Sequence, residues 1–182
     1  MKAHEIQKVW WLHDALWYQG AAKRFGYEAA NEINQEAIRP IAKRVMRGVL
    51  AGLSKDIDKA NLNLEDILAC FRKASDLMWP PPMTEWGSEI IGEDILEVTI
   101  TKCHAIRGIQ RIGATEQYQC PCIAVREGWL EALGVEAQQE IAASMKNGSK
   151  SCLIRIWLKK AGLRQAPVPG TSLFASKESP RY

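Results

Sequence analysis

The residues with the most chemistry in this sequence are its five cysteines. An odd number of cysteines and the lack of an export signal argue against a disulfide framework, so we expect reduced thiols. Four of them share a position at the beginning or end of a predicted helix or strand, where side chains from separate elements converge readily. These four are Cys103, Cys120, Cys122 and Cys152. The fifth, Cys70, lies within a predicted helix and is assigned to the core.

Thiolates are the natural ligands of zinc, and four of them, or three with a histidine, complete its tetrahedral shell. Four cysteines also hold iron–sulfur clusters. We therefore predict a metal site at the four boundary cysteines, with zinc or an iron–sulfur cluster as its cofactor. The single residue between Cys120 and Cys122 is fewer than the usual zinc spacing of about two to four. Small buried thiols without a metal are the alternative.

A second candidate site lies near the N terminus, where His13 shares an apolar helical stripe with Trp10 and Trp17. The stripe predicts that His13 points inward, beside Asp14. A buried imidazole next to a carboxylate is suited to act as a general base or proton carrier. His13 and Asp14 are therefore the predicted catalytic residues, and a hydrogen-bonded core histidine is the alternative.

Other side chains are candidates for contacting a small ligand. Amides on an inward helix face need hydrogen-bond partners, arginines near the cysteines suit a substrate carboxylate, and tryptophans line pockets for flat or apolar ligands. Ordinary helix-to-helix bonds, surface arginines and aromatic core packing are the alternatives. The predicted ligand-binding residues are Trp10, Trp17, Asn31, Asn34, His104, Arg107, Arg126 and Trp129.

The elements that position these residues follow from hydrophobic spacing. Three- and four-residue spacing predicts a first helix over about 6–21 and a second over about 27–53, with Gly26 as the break between them. Pro40 predicts a kink or boundary near Arg39.

A third helix, capped by Asn63, ends at the three prolines 80–82. Beyond them, two-residue alternation predicts one hairpin and then, after two helices, another. The predicted strands are 86–91, 95–103, 136–145 and 151–159, and the predicted helices between the hairpins are 105–112 and 121–133.

The predicted fold class is therefore α+β, with an N-terminal bundle of about three helices packed with an antiparallel sheet of about four strands and two further helices. These elements form one domain over 1–160. Residues 161–182 are rich in Pro, Ser and Gly, which predicts an extended C-terminal arm that lies on another subunit or along the domain surface.

Composition narrows the function classes. The 182 residues carry 24 Lys and Arg against 21 Asp and Glu, and 47% are apolar, which is typical of a soluble globular protein. A net charge of +3 without a basic stripe argues against nucleic acid as a partner. No apolar run reaches the ~18–20 residues of a membrane span, and no signal peptide is visible, so we expect a cytoplasmic protein. Motifs of nucleotide hydrolases, serine hydrolases and zincins are missing from the sequence.

Several blocks of the sequence resemble a family of small cytosolic proteins from anaerobic bacteria and archaea, over roughly residues 9–158. From Cys120 through Cys152 the chain also resembles two other groups. One is the L-2-amino-thiazoline-4-carboxylate hydrolase-like family, which opens a sulfur–nitrogen ring. The other is the 4-vinyl-reductase-like sensor domain, whose cysteine-held zinc implies Cys152 and one of Cys120 and Cys122 as ligands. The blocks that carry the resemblance are 11–17, Gly26, 29–34, Cys103, 118–120, 126–134 and Cys152.

Together these features predict a small-molecule-binding protein with a cysteine-rich site that acts as a hydrolase of a small C–N or C–S compound. In that hypothesis a thiolate-held metal or a free cysteine lies opposite His13 and Asp14. The alternative is a sensor or carrier without turnover, or an accessory subunit of a larger complex. A homo-oligomer, such as a homodimer, is the expected assembly.

Overall fold

The computed structural model describes residues 3–53, 62–81 and 83–159. The predicted C-terminal arm lies outside the described residues. Within them, helices and a four-stranded antiparallel sheet confirm the α+β fold class. The elements are α1 (Ala3–Ala51), α2 (Leu64–Met78), β1 (Glu85–Ile90), β2 (Ile95–Lys102), α3 (His104–Arg111), α4 (Cys122–Leu133), β3 (Ala137–Ala143), a short 3-10 turn (Met145–Asn147) and β4 (Cys152–Leu158).

Helix α1 consists of two helical segments that meet at Gly26. The glycine has a φ of 86° and a ψ of 163°, a conformation that residues with a side chain rarely adopt. The predicted break at Gly26 is therefore confirmed. The backbone stays helical through Arg39 and Pro40, so a boundary there is wrong. This stretch packs directly on α4, since a Cβ added at Gly128 would collide with the carbonyl oxygen of Arg39.

The sheet order is β1-β2-β4-β3, with every neighbouring pair antiparallel. The predicted hairpin of β1 and β2 is confirmed, as is the pairing of β3 with β4. The second hairpin joins the first through β4, whose Cys152 lies opposite Ile100 of β2. Alternate residues of β4, beginning with Cys152, are buried, so one face of the sheet packs beneath the helices.

Two hydrophobic cores hold these elements together. The larger core lies between the sheet, α2, α4 and the second segment of α1. In the smaller core, Tyr18, Ala22 and Ala30 of α1 pack with Ile106 and Ile109 of α3. Helix α2 begins as predicted at Asn63, where the Asn63 side chain and Asp66 cap each other's backbone N–H groups. No helix in the described parts of the chain is long and apolar enough to cross a membrane.

Candidate thiol site

The four boundary cysteines converge in the folded chain, and we call Cys103, Cys120, Cys122 and Cys152 the thiol cluster. Cys103 precedes α3, Cys122 begins α4 and Cys152 begins β4. The sulfurs of Cys122 and Cys152 both raise the pKa of Cys103. Cys120 and Cys122 shift the pKa of each other, and Cys152 also acts on Arg126. The cluster lies where the two cores meet, because Cys103 packs against both of them. These mutual effects place the four sulfurs in one region of the fold, and their role as a shared site stays a prediction.

The thiols of the cluster sit in unequal environments. Burial is the main cause that raises the pKa of Cys103 to about 11, so this thiol is neutral at pH 7. The backbone N–H of Met145 donates to Cys152 Sγ over 3.3 Å.

Cys120 and Cys122 share a hydrogen bond that separates their pKa values. The Cys120 thiol donates a hydrogen bond to the sulfur of Cys122, and this bond is the largest cause that lowers the pKa of Cys122 to about 6. Burial raises the pKa of Cys122, and the charge of Arg126 lowers it further. The same bond, together with burial, raises the pKa of Cys120 well above its ordinary value. Cys122 also begins α4, where the helix dipole favours an anion. The pair is therefore unequal, with the pKa of Cys122 below its ordinary value and that of Cys120 above it.

Arg126 lies one turn into α4 from Cys122 and is 3% exposed. Its Nε donates to Gln139 Oε1 over 3.1 Å. Its Nη2 is buried and has no hydrogen-bond partner within the described residues. A buried guanidinium without full partners is costly, and such groups in native proteins are normally satisfied by a ligand, an ion or water. Arg126 thus supplies a buried positive charge next to the Cys122 sulfur, with one nitrogen unpaired.

A cleft of about 340 Å³ reaches the thiol cluster at Cys120. Its wall is formed by the end of β3 and the following turn, and it includes Ser144, Lys146 and Ser149. The backbone N–H of Lys146 donates to Ser144 Oγ, which shapes the turn. In the described part of the chain no carboxylate forms a salt bridge with the Lys146 amine. The cleft therefore combines a cation with hydroxyl groups at the side of the cluster that faces solvent.

The loop before Cys120 is held by Asn31, a predicted ligand-binding residue that proves to be structural here. Asn31 is 2% exposed. Its Nδ2 donates to the carbonyl oxygen of Gln117 over 2.7 Å, and its Oδ1 accepts from the Gln119 N–H over 2.9 Å and from the Tyr18 hydroxyl over 2.7 Å. Three hydrogen bonds of the amide are made within the protein, so Asn31 positions the Cys120 loop.

The structure contradicts the inward orientation predicted for His13. Its side chain is 60% exposed and that of Asp14 is 74% exposed, with Nδ1 and Oδ1 3.4 Å apart. Trp10 and Trp17 on the same stripe are 61% and 54% exposed. The reason is that this segment of α1 packs on the chain through a different face, which carries Tyr18 and Ala22. The stripe is real, but it faces away from the core and from the thiol cluster.

The remaining predicted ligand residues are scattered. Asn34 is half-buried on α1, and Arg107 is exposed on α3. His104 is exposed, with its ring centroid 4.7 Å from that of Trp11, and burial is the main cause that lowers its pKa. Trp129 is 2% exposed and packs edge-on against Phe71, so the core interpretation holds for this tryptophan. Of the predicted set, Arg126 interacts with Cys120, Cys122 and Cys152, and His104 directly follows Cys103.

The donor chemistry of the thiol cluster suits zinc or an iron–sulfur cluster, but its arrangement does not complete a ligand shell. Within residues 3–53, 62–81 and 83–159, no three His, Cys, Asp or Glu side chains are placed to hold a metal ion. The metal site therefore stays a prediction.

Two side chains of the site carry no sequence signal. Gln139 contacts Arg126 from β3, and Lys146 lies in the turn that lines the cleft. Both depend on the pairing of β3 with β4, which brings a distant stretch against α4. Only the register of β3 would have identified them.

Comparison with known proteins places the fold but not the function. No protein-family model and no curated protein matches the chain. Among solved structures, it is similar to a trafficking protein particle complex subunit 3 from Naegleria fowleri covalently bound to palmitic acid. That likeness has a TM-score of 0.54 at 13% identity, over 82% of this chain and 96% of the other. The chain thus shares the fold of this subunit.

A second similar structure is the SO2144 H-NOX domain from Shewanella oneidensis in the Fe(II)CO ligation state. The TM-score is 0.43 at 13% identity, over 73% of this chain and 71% of that domain. This likeness is too distant to support an argument about the site.

Proposed function

We propose that the protein is a small-molecule-binding module that holds an anionic, thiol-reactive ligand between the sulfur of Cys122 and the guanidinium of Arg126. The observation that carries this proposal is the buried Arg126, which lies beside a sulfur at a helix N-terminus and has an unpartnered Nη2. A carboxylate is the natural partner for that nitrogen because it accepts charge-assisted hydrogen bonds from a guanidinium.

The proposed entrance is the cleft beside Cys120; its lining does not include Cys122 or Arg126, so the ligand has to pass Cys120 to reach them. The cleft volume of about 340 Å³ admits a small organic acid and excludes a macromolecule. Lys146 at the cleft wall attracts a negative charge toward the cluster. The two cysteines then have different roles. The Cys122 thiolate is the nucleophile, and the neutral Cys120 thiol stabilises it through their hydrogen bond.

Two resemblances agree with this ligand class. The L-2-amino-thiazoline-4-carboxylate hydrolase-like family implies a small carboxylate with a carbon that is open to nucleophiles. The subunit from Naegleria fowleri, which has the same fold, is covalently bound to a fatty acid. The first supports a ligand with an acid group, and the second supports a ligand that forms a bond to the protein.

Binding is favoured over hydrolysis because the groups that set the Cys122 pKa are Cys120 and Arg126, neither of which is a histidine or a carboxylate. Hydrolysis of a C–N or C–S bond needs a proton carrier at the nucleophile. His13 and Asp14 are exposed on the outer face of α1, away from the cluster. The sensor or carrier interpretation is therefore the one that the geometry supports best.

Iodoacetate tests this proposal, because it combines a carboxylate with a carbon that a thiolate attacks. The Cys122 sulfur forms a bond to that carbon, the C–I bond breaks and iodide leaves. Native protein, reduced and kept free of oxygen, is treated with limiting iodoacetate at pH 7, and the modified residue is mapped by peptide mass spectrometry. We expect the first label on Cys122, loss of that label in Cys122→Ser, and an unchanged rate in the control Cys70→Ser.

Labelling that is first on Cys120 or Cys103, or a rate in Cys122→Ser equal to the wild-type rate, would refute the proposal. The same preparation also tests the predicted metal. If zinc or iron is present in stoichiometric amount and is lost in both Cys120→Ser and Cys152→Ser, the thiol cluster is a metal centre and the organic-ligand proposal is wrong.

A further inference from the structure

The first segment of α1, residues 3–25, has two apolar faces on opposite sides of one helix. One face packs on the chain itself. Tyr18 is 7% exposed, Ala22 is 9% exposed, and the Trp11 ring lies against that of His104. Large apolar side chains exposed together on one helix face mark an interaction surface, so the second face requires a partner of its own.

The second face consists of large apolar side chains that the fold leaves uncovered. Val9 and Trp10 are each 61% exposed, and Leu16 is 57% exposed. The set recurs at alternating spacings of three and four residues, the pattern by which one helix packs along another. We call these residues the outer stripe: Ile6, Val9, Trp10, His13, Leu16, Trp17 and Gly20.

We propose that the outer stripe is the docking surface for a second copy of this chain, with the two stripes packed helix against helix about a two-fold axis. The stripe contains no Lys, Arg, Asp or Glu. The stripe itself therefore offers no like-charge repulsion to a second copy, although Lys23 and Arg24 line a hollow at one end of it. Because a two-fold contact uses the same patch on both subunits, one apolar stripe satisfies both sides.

The available area is that of a stable dimer. Each large side chain of the stripe has roughly 150–250 Å² of surface, so the exposed fractions amount to roughly 600–700 Å² per copy. Phe25, which is 64% exposed just beyond the stripe, adds roughly 100 Å². A standard interface buries about 800 Å² on each partner. The outer stripe with Phe25 thus offers at most roughly 700–800 Å² per copy, which lies within the standard range of about 600–1,000 Å² per partner.

A hollow at one end of the stripe fixes the direction of packing. It measures about 770 Å³, lies beside the break in α1, and is lined by residues that include Trp17, Gly20 and Phe25. No atom lies within 4 Å of the position of a Cβ at Gly20. In an antiparallel pair the hollow receives the bulky end of the other stripe, with the partner's Trp10 against Gly20. In a parallel pair the two hollows would face each other and stay empty, so the antiparallel direction is the one proposed.

Sedimentation velocity of the full chain tests this assembly, with Leu16→Glu as the disrupting variant. Leu77→Glu on α2 is the matched control, since Leu77 is 58% exposed but lies off the stripe. We expect the wild type and Leu77→Glu to be dimers, and Leu16→Glu to raise the dimer dissociation constant by at least about tenfold. Circular dichroism confirms that each variant is folded.

A second pair of variants separates docking from folding. Gly20→Leu fills open space in the single chain and leaves its thermal stability unchanged or higher, but it blocks the close approach of the partner's Trp10. Gly48→Leu is the control, because Gly48 is also helical and open but lies outside the stripe. We expect Gly20→Leu to weaken the dimer and Gly48→Leu to leave it intact. A monomeric wild type, including one that binds phospholipid vesicles, or a Leu16→Glu variant that dimerises like the wild type, overturns the proposal.

Discussion

Replacing Arg126 with Gln removes the buried cation from the Cys122 sulfur while keeping a side chain of similar length. The pKa of Cys122 is about 6, against an ordinary 9.0, and the charge and hydrogen bond of Arg126 are among its causes. We expect the pKa of Cys122 to rise in Arg126→Gln. In Arg126→Lys, which keeps the charge without the fork of nitrogens, it should rise less.

The size of the effect follows from the strength of a charge-assisted bond. The bond from Arg126 contributes about 1.5–3 kcal/mol, and one pKa unit corresponds to about 1.4 kcal/mol. Loss of the bond should therefore raise the Cys122 pKa by about one to two units. At pH 7 the thiolate fraction would fall from about nine-tenths to half or less. Cys120 still donates its hydrogen bond, so the pKa should stay below the ordinary value.

The assay is the ultraviolet absorbance of the thiolate, titrated from acid to neutral pH in the folded protein without oxygen. The wild type should show one thiolate that appears as the pH rises through about 6, and Cys122→Ser should lack it. Arg155→Gln is the matched control, because Arg155 forms an ion pair with Glu97 away from the cluster. A midpoint in Arg126→Gln that equals that of the wild type would refute the electrostatic reasoning.

Three further predictions concern the scaffold, each measured by chemical denaturation. Asn31→Leu should lower the free energy of unfolding by about 2–4 kcal/mol, because three hydrogen bonds are lost and their partners stay buried; a change under about 1 kcal/mol would contradict its anchoring role. Gly128→Ala should lower the free energy of unfolding by about 1–3 kcal/mol through the collision with α1. The control Gly108→Ala, in open space on α3, should raise it by up to about 1 kcal/mol. Equal effects of the two substitutions would show that the α1–α4 contact is not close. Asn63→Ala should cost about 1 kcal/mol through loss of the cap of α2, and no change would mean that the cap adds nothing.

The helices and strands could be predicted from the sequence because the residues that begin and end them are close together in the chain. The break at Gly26, the cap at Asn63 and both hairpins depend on residues close together in the chain. The convergence of the cysteines was also predictable, since the ends of neighbouring elements meet at the edges of layers. The boundary predicted at Pro40 is wrong because a proline signal is local, whereas the packing of α1 on α4 that accompanies the continuous helix is not; the predicted kink stays a prediction.

The orientation of the first segment of α1 was not predictable from periodicity. Periodicity locates an apolar stripe but does not say whether the same chain or another molecule covers it. This segment has two apolar stripes. Trp10, His13 and Trp17 form the more regular stripe, yet the core uses the face with Tyr18. The contact of Gln139 with Arg126 was hidden for a different reason, since it requires the register of β3 against α4.

The central claim is that an anion is recognised beside the Cys122 thiolate, and the ratio of alkylation rates with iodoacetate and iodoacetamide tests it most directly. A free thiolate repels the carboxylate of iodoacetate and reacts faster with the neutral amide. Because both reagents need the same thiolate, its pKa cancels from the ratio. The account predicts that Cys122 prefers iodoacetate in the wild type and loses that preference in Arg126→Gln. A wild-type preference for iodoacetamide, or a ratio that Arg126→Gln leaves unchanged, would contradict it.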